Sequence, residues 1–211
     1  MNTEPVSEDV QPVPHFSREG DDGRTRLGQL GEVDKHDFRL SAYGDCEEAN
    51  AAIGTALSLA GGGSLDIVDM LASVQHDLFD LASDLRPDTY PGTGADVHIT
   101  SAHIERVERA IDHFGEALHR VRGYVLPGGT PAASLIFQAR TVVRRAERSL
   151  WAAVAADPER LTPLPAQYMN RLSALLFVLG RATNAEHGDT MWRPMASVTP
   201  PAHQPMEQAP A

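Results

Sequence analysis

The sequence predicts an all-α protein, a bundle of five helices, and three observations support this prediction. Two long segments carry apolar residues at alternating spacings of four and three, which places each set on one face of a helix. Clusters of proline and glycine separate the helical segments by short connections. No segment alternates polar and apolar residues for long enough to make a strand. Several helices joined by short connections are typical of a helical bundle.

The five helices are expected in order along the chain. The first runs from about 38 to 60 and ends at the glycines of 61–63. The second and third carry the two apolar stripes, which consist of Ile67, Leu71, Val74, Leu78, Leu81 and Leu85, and of Ile104, Val107, Ile111, Phe114, Leu118 and Val121. The fourth begins after "PGGTP" (127–131) and continues to about 156, and the fifth spans about 165–184.

Composition indicates one domain, over 15–194, between two Pro-rich segments, 1–14 and 195–211, that are expected to be disordered. The formal net charge of −11 argues against nucleic acid as the main partner. No apolar run approaches the ~20 residues of a membrane span, and the N-terminus does not resemble a signal peptide. A single cysteine, Cys46, excludes an intramolecular disulfide. A cytoplasmic protein is therefore expected.

The segment "ARTVVRRAER" (139–148) concentrates positive charge in this acidic chain. Arg140, Arg144 and Arg148 are spaced i, i+4, i+8 and share one helical face with Glu147, whereas Arg145 points about 100° away. The pattern has two interpretations: a solvated face with an internal Glu–Arg pair, or a site for an anion or another subunit. The mutual repulsion of these arginines and the affinity of guanidinium groups for phosphate favour the second.

A glycine-rich polar segment near the N-terminus, "REGDDGRTRLG" (18–28), is the second candidate for anion binding. Its backbone amides are able to approach a phosphate closely, although the same pattern also fits an ordinary surface turn. Lys35 follows it and is the only lysine in the chain. A compact ammonium charge suits a phosphate oxygen, and chance retention on a surface is the alternative explanation.

Five motifs in order give the sequence a family resemblance. They are "SREGDDGRT" (17–25) with Lys35, "AYGDCEEAN" (42–50), "YVLPGGT" (124–130), "ARTVVRRAER" (139–148) and "YMNRLSALLF" (168–177). Together they resemble the PduO-type ATP:cob(I)alamin adenosyltransferases, also called corrinoid adenosyltransferases, over about 16–194. The resemblance implies a ferritin-like five-helix bundle, assembled as a homotrimer with active sites between subunits. The implied reaction transfers the 5′-deoxyadenosyl group of ATP to cob(I)alamin and releases triphosphate.

The resemblance also implies a role for individual residues, with Mg²⁺ on the ATP phosphates and no protein ligand specified for it. The residues assigned to ATP are Arg18, Gly20, Asp21, Gly23, Thr25, Lys35, Arg144, Glu147, Arg148 and Asn170. Tyr124, Val125 and Leu126 are assigned to cobalamin, and Glu47 and Arg140 to the subunit interface. Arg140, Arg144 and Tyr124 are assigned to catalysis. A cob(II)alamin reductase and an adenosylcobalamin-dependent enzyme are the implied protein partners.

The sequence departs from the family pattern at five positions that bear on catalysis. Tyr124 stands where the family usually has Phe, Glu47 where it has Asp, and Ala174 where it has Asp. Glu19 and Arg24 replace phosphate-binding threonines, and Arg24 is expected to offset the negative charge of Glu19. Two functions therefore stay open: an active adenosyltransferase, or a paralogue that binds cobalamin or nucleotide as a carrier, regulator or trimer partner without efficient catalysis.

Overall fold

Five α-helices dominate the computed structural model, which describes residues 16–60, 64–87 and 97–198. The helices are α1 Phe38–Ala60, α2 Leu65–Leu85, α3 Ser101–Gly115, α4 Pro131–Ala156 and α5 Leu164–Thr183. The predicted all-α, five-helix bundle is therefore confirmed, and α1, α4 and α5 begin and end close to the expected positions. The predicted arm 1–14, the glycine run 61–63 and the tail from 199 onward lie outside the described residues.

Alanine stripes hold the centre of the bundle, where α1 packs along α4. The alanines recur every seven residues, or about two helical turns, on both helices and are almost completely buried. They are Ala42, Ala49 and Ala56 on α1, and Ala139, Ala146 and Ala153 on α4. Small side chains let the two helices approach closely, so that the core holds α4 rigidly in place.

Local sequence sets the beginning of α4. The Thr130 hydroxyl accepts a hydrogen bond from the amide of Ala133 at 3.2 Å, and Pro131 occupies the first turn. At its far side α4 packs against α5, where Gly180 lies under the ring of Phe137. A Cβ at Gly180 would stand 2.9 Å from that ring, so the close crossing of α4 and α5 requires glycine.

Two expectations for local structure were wrong. Short antiparallel strands, β1 Arg24–Arg26 and β2 Glu32–Asp34, form a hairpin in a region where no strand was predicted. Strands of three residues are too short to show a period-two pattern. The third helix ends at Gly115 and does not reach Val121. Glycine weakens the helix there, and Leu118 and Val121 are only half-buried, so they do not extend the core stripe.

Three helices meet at a buried polar cluster. The carboxylate of Asp77 on α2 accepts a hydrogen bond from the Tyr168 hydroxyl of α5 at 2.6 Å and also binds the Arg106 guanidinium of α3. Desolvation raises the pKa of Tyr168 well above its ordinary value, and the nearby charge of Asp77 adds to the effect. Tyr168 therefore stays a neutral phenol at physiological pH, and the cluster ties α3 to the bundle.

A polar link on the surface joins α1 to α4. The Arg145 guanidinium donates to Asp45 at 3.2 Å and also binds Glu48, and Ser149 donates to Asp45. The hydrogen bond from Arg145 lowers the pKa of the Glu48 carboxyl. Arg145 is thus occupied by carboxylates of its own chain.

We expect Glu48→Gln to lower the midpoint of urea unfolding only slightly at pH 7, because the Glu48 side chain is exposed and solvent screens the ion pair. A carboxyl whose folded pKa is lowered stabilises the protein above its unfolded pKa of ~4.3. This contribution disappears as the pH falls through the lowered folded value. The difference between variant and wild type should therefore shrink on acidification. A difference that grows below pH 4 would contradict the assignment.

The ends of the described chain are simple. Residues 195–198 form an exposed turn after the last contacts with the bundle. Among the helices that the structure describes, none combines the length and apolarity needed to cross a membrane.

Candidate functional site

The β1–β2 hairpin folds Lys35 back onto the glycine-rich loop. Arg24 pairs with Asp34 in the register, so the next residues on each side, Gly23 and Lys35, face each other. The Lys35 amide donates to the Gly23 carbonyl at 2.9 Å, and its ammonium donates to the Gly20 carbonyl at 2.6 Å. The glycine-rich loop and the single lysine, which were predicted from separate patterns, are therefore in direct contact.

Glycine is required at position 20 of this loop. Its φ of +85° is a conformation that favours glycine, and a Cβ there would stand 2.7 Å from the Arg24 carbonyl oxygen and 3.1 Å from the Lys35 ammonium. Gly23 has a φ of +86° in the same turn. The glycines thus allow the lysine to approach the loop.

The loop surrounds an open cavity of about 940 Å³. Its lining includes the predicted residues Arg18, Gly20, Asp21 and Thr25, together with Glu19. The expectation that Arg24 offsets Glu19 is not borne out within the protomer. The Arg24 guanidinium instead contacts Glu32 at 3.0 Å and Asp34 at 3.6 Å. The lining of the cavity carries four carboxylates against three guanidinium groups.

The second half of the predicted site is the arginine face of α4, which we define as Arg140, Arg144 and Arg148. Within the described ranges, none of the three has a carboxylate partner. Arg148 donates to the Arg144 carbonyl at 2.8 Å, and Glu147 accepts from the Asn170 side chain of α5 at 3.0 Å. The internal Glu–Arg pair of a solvated face is therefore not formed, which leaves the guanidinium charges available for an anion.

Arg140 is the most constrained member of the arginine face. Its guanidinium lies 5.4 Å from the centroid of the Phe177 ring, and its Nε atom is buried without a hydrogen-bond partner among the described residues. Desolvation lowers the pKa of Arg140, and the positive charge of Arg144 lowers it further. Since a buried charged donor without a partner is costly, Arg140 is suited to a carboxylate or phosphate from outside the protomer.

The two halves are not joined within one protomer. The cavity at the hairpin is lined by residues 17–22, 24–26 and 32, and none of the described lining residues belongs to α4. Glu47, the predicted interface partner of Arg140, is exposed on α1. Its charge adds to the desolvation that raises the pKa of the nearby Tyr43. Within the described chain, the hairpin cavity and the arginine face therefore share no lining residue.

The predicted corrin-contacting residues lie in a loop that pairs with the chain after α5. Leu126 donates its amide to the Thr190 carbonyl at 2.8 Å, Trp192 donates to the Tyr124 carbonyl at 2.8 Å, and Val125 bridges Met191. The rings of Tyr124 and Trp192 meet edge to face with centroids 5.8 Å apart. Tyr124 is 73% exposed, and Leu126 and Trp192 are also exposed. This apolar surface suits a large flat ligand.

Sequence reasoning missed two residues that support this loop. Arg181 of α5 is buried, contacts Asp189 at 2.8 Å and donates to the His119 carbonyl at 2.7 Å. Asn184, also buried, binds the backbone of the loop. The sequence carries only a weak signal for these two roles. An arginine in the last turn of a helix and an asparagine just after its end both fit ordinary helix capping.

Asp77, Asp80 and His103 form a group close enough to hold a metal ion, but its ligand atoms are already engaged. Asp77 binds Arg106 and Tyr168. The His103 Nδ1 atom accepts from the Thr100 amide at 3.1 Å, and its Nε2 atom lies 3.4 Å from Asp80. A guanidinium beside the carboxylates opposes a second cation, so the group fits a structural role.

Comparisons with known proteins agree with the motifs. The sequence profile of the cobalamin adenosyltransferase family matches residues 15–183. A corrinoid adenosyltransferase of Mycobacterium tuberculosis is 49% identical over 180 residues, covering 85% of this chain and 92% of the relative. One from Bacillus subtilis is 35% identical over 175 residues, covering 82% and 88%.

A solved structure with a similar fold belongs to a PduO-type ATP:corrinoid adenosyltransferase variant from Lactobacillus reuteri, complexed with cobalamin and ATP. It has a TM-score of 0.73 at 29% identity, over 85% of this chain and 97% of that chain. The family profile spans the segment from before the hairpin to the last residue of α5. By sequence and by fold, the chain belongs to the cobalamin adenosyltransferase family.

Proposed function

We propose that this protein transfers the 5′-deoxyadenosyl group of ATP to cob(I)alamin, producing adenosylcobalamin and triphosphate. One observation carries the proposal most directly. In a chain with a net charge of −11, three arginines of α4 share a face and have no carboxylate partner among the described residues. A triphosphate group matches that arrangement in charge, and guanidinium groups bind phosphate in a bidentate manner.

The chemistry requires positioning more than proton transfer. The cobalt of cob(I)alamin supplies an electron pair to C5′ of ATP, the C5′–O bond breaks, and its electrons leave with triphosphate. The cobalt becomes the two-electron-oxidised, alkylated centre of the product. The protein holds C5′ in line between cobalt and the departing oxygen and neutralises the leaving group. Arg144, Arg148 and Lys35 are the residues proposed for neutralisation, and Arg140 is proposed to hold the subunit interface beside them.

Mg²⁺ is proposed to accompany ATP, where it would offset phosphate charge. Carboxylate oxygens are suitable ligands for this ion, and the hairpin loop offers Glu19 and Asp21. With a bound cation, the acidic character of that cavity becomes compatible with a polyphosphate. The proposed ATP site therefore consists of the hairpin of one subunit and the arginine face of another, in a homotrimer. The proposed setting is the cytoplasm, with a cob(II)alamin reductase supplying reduced substrate and an adenosylcobalamin-dependent enzyme receiving the product.

The deciding experiment is an anaerobic assay with chemically reduced cobalamin, ATP and Mg²⁺, followed by the change of the absorption spectrum to that of adenosylcobalamin. We expect product to form only when ATP is present, with triphosphate released in equal amount. Samples without ATP and samples without protein are the controls. Absence of product despite measurable binding of cobalamin would contradict the proposed activity.

That result would favour the second candidate, a paralogue that binds cobalamin or nucleotide without efficient catalysis. The hairpin cavity supports it, since Glu19 adds a carboxylate to the lining and Arg24 contacts Glu32 and Asp34 instead of Glu19. Calorimetric titration with ATP and Mg²⁺ would then show which ligand such a paralogue binds. A carrier of cobalamin alone would not bind the nucleotide.

We expect the Tyr124→Phe variant to form adenosylcobalamin roughly twofold to tenfold faster than wild type when the substrate is cob(II)alamin and a reductase supplies electrons. This ratio corresponds to the net free energy of about one hydrogen bond. The Tyr124 hydroxyl makes no hydrogen bond to another described residue, so it is free to hold water on the face of cobalt. Such a ligand stabilises the oxidised metal and hinders reduction. Phe keeps the ring and its packing on Trp192.

Supplying cob(I)alamin already reduced is the control for Tyr124→Phe. The variant should then gain little, because the hydroxyl acts on reduction and not on alkyl transfer. Equal gains in both assays, or no gain in either, would show that the hydroxyl has no such effect.

A further inference from the structure

Asn184 lies at the end of α5 and binds the loop that leads into α4. Its side chain is only 4% exposed. The Nδ2 group donates to the Gly128 carbonyl at 2.6 Å, and the Oδ1 atom accepts from the Thr130 amide at 2.9 Å. Both ends of the amide are therefore engaged by backbone atoms on either side of Gly129.

The loop is built around this side chain. Gly129 has a φ of +110°, and a Cβ at that position would stand 2.3 Å from the Asn184 amide. The loop therefore accommodates neither a side chain at 129 nor a displaced amide at 184. Such a fit over a separation of 54 residues indicates that the position of the loop depends on Asn184.

Asn184 also begins the segment that lines the loop. The amides of His187 and Gly188 both donate to the Asn184 carbonyl at 2.9 Å, which turns the chain back. Asp189 is then held by Arg181, and residues 190–192 pair with Tyr124–Leu126. Residues 184–192, here called the C-terminal strap, thus contact the loop at its two ends.

We propose that Asn184 is a positioning residue for the corrinoid substrate, which it affects through the loop and the C-terminal strap and not by direct contact. The inference rests on the proposed function, because that function assigns Tyr124, Val125 and Leu126 to the corrin. Asn184 fixes the end of the loop at Gly128 and Thr130, while Thr190 and Trp192 fix the end that carries those residues.

The ATP side should be insensitive to Asn184. Arg144 is fourteen residues along α4 from Thr130, about 21 Å at 1.5 Å per residue. Between them α4 is held by its alanine stripe against α1 and by Phe137 against α5. A displaced loop would therefore change the recognition of cobalamin without moving the guanidinium group.

The test compares Asn184→Ala with wild type in KM for cob(I)alamin, KM for ATP, and the affinity for cob(II)alamin in a spectral titration with ATP present. We expect KM and Kd for cobalamin to rise roughly tenfold, the scale of one to two net hydrogen bonds, and KM for ATP to stay within about twofold. Equal increases for both substrates, or no increase for cobalamin, would overturn the inference.

Thr100→Ala is the stability control. Thr100 caps α3 in a capping box, and loss of such a cap destabilises a protein by a comparable amount without touching the loop. We expect it to leave the affinity for cobalamin unchanged. If Thr100→Ala weakens cobalamin binding as much as Asn184→Ala does, the effect is one of general stability and the inference fails.

Asn184→Asp provides a second measurement that does not depend on complete removal of the side chain. A protonated carboxyl is able to donate to the Gly128 carbonyl, whereas a carboxylate is not. The ratio of variant to wild-type Kd for cobalamin should therefore fall towards one as the pH is lowered. A ratio independent of pH would count against the hydrogen bond to Gly128 as the cause.

The spectral titration also separates this inference from the proposed function. A wild-type protein that binds cobalamin but forms no adenosylcobalamin would refute the activity, and the effect of Asn184→Ala on cobalamin Kd would still decide the positioning role. An active wild type with an unaffected variant would refute the positioning role alone.

Discussion

Arg144→Ala is expected to weaken ATP binding roughly tenfold to a hundredfold, since a charge-assisted hydrogen bond to phosphate contributes ~1.5–3 kcal/mol. The Arg144 side chain is exposed on α4 and has no partner among the described residues, so its removal leaves the protomer otherwise intact. Helix content should not change, because alanine favours helix. Calorimetric titration with ATP and Mg²⁺ measures the effect.

The adjacent residue provides a matched control for Arg144→Ala. Arg145→Ala removes the same charge from the same helix, but Arg145 binds Asp45 and Glu48 of α1. We expect it to lower stability slightly and to leave ATP affinity unchanged. If the two variants lost ATP affinity equally, the effect would come from net charge and the arginine face would not be the phosphate site.

The ends of the helices could be predicted because local residues determine them. Thr130 and Pro131 begin α4, and α1 ends at Ala60 directly before the glycine run. The third helix shows the limit of this reasoning. Leu118 and Val121 continue its apolar stripe, but whether they are buried depends on what packs opposite them, and the helix ends at Gly115.

Half of the candidate site was accessible from sequence for a physical reason. A glycine-rich loop and a single lysine made anion binding one of two interpretations, and the structure places Lys35 on the Gly20 carbonyl. Arg24 and Asn184 were not accessible. An arginine fits many partners, and its ion pairs with Glu32 and Asp34 depend on the register of a hairpin that has no sequence signal. Asn184 acquires its role from a loop far away in the chain.

Reversing the charge at either member of the proposed interface pair is expected to dissociate the proposed homotrimer. Arg140 has a buried Nε without a partner among the described residues, and Phe177 covers its guanidinium, so it is preorganised for a carboxylate from another subunit. Glu47 presents an exposed carboxylate on α1. Breaking a buried charge pair at an interface costs ~2–5 kcal/mol, which corresponds to a loss of association of roughly thirtyfold to several thousandfold at each contact.

Light scattering at micromolar concentration tests this pair through three variants. Wild type should have the mass of a trimer, while Glu47→Arg and Arg140→Glu should each shift towards monomer. The double variant Glu47→Arg with Arg140→Glu restores opposite charges and should recover the trimer at least in part. It should not recover ATP binding, because the carboxylate at 140 then stands one helical turn from Arg144, where triphosphate is proposed to bind.

A monomeric wild type would contradict both the interface and the ATP site between subunits. A double variant that assembles no better than the single variants would show that Glu47 is not the partner of Arg140.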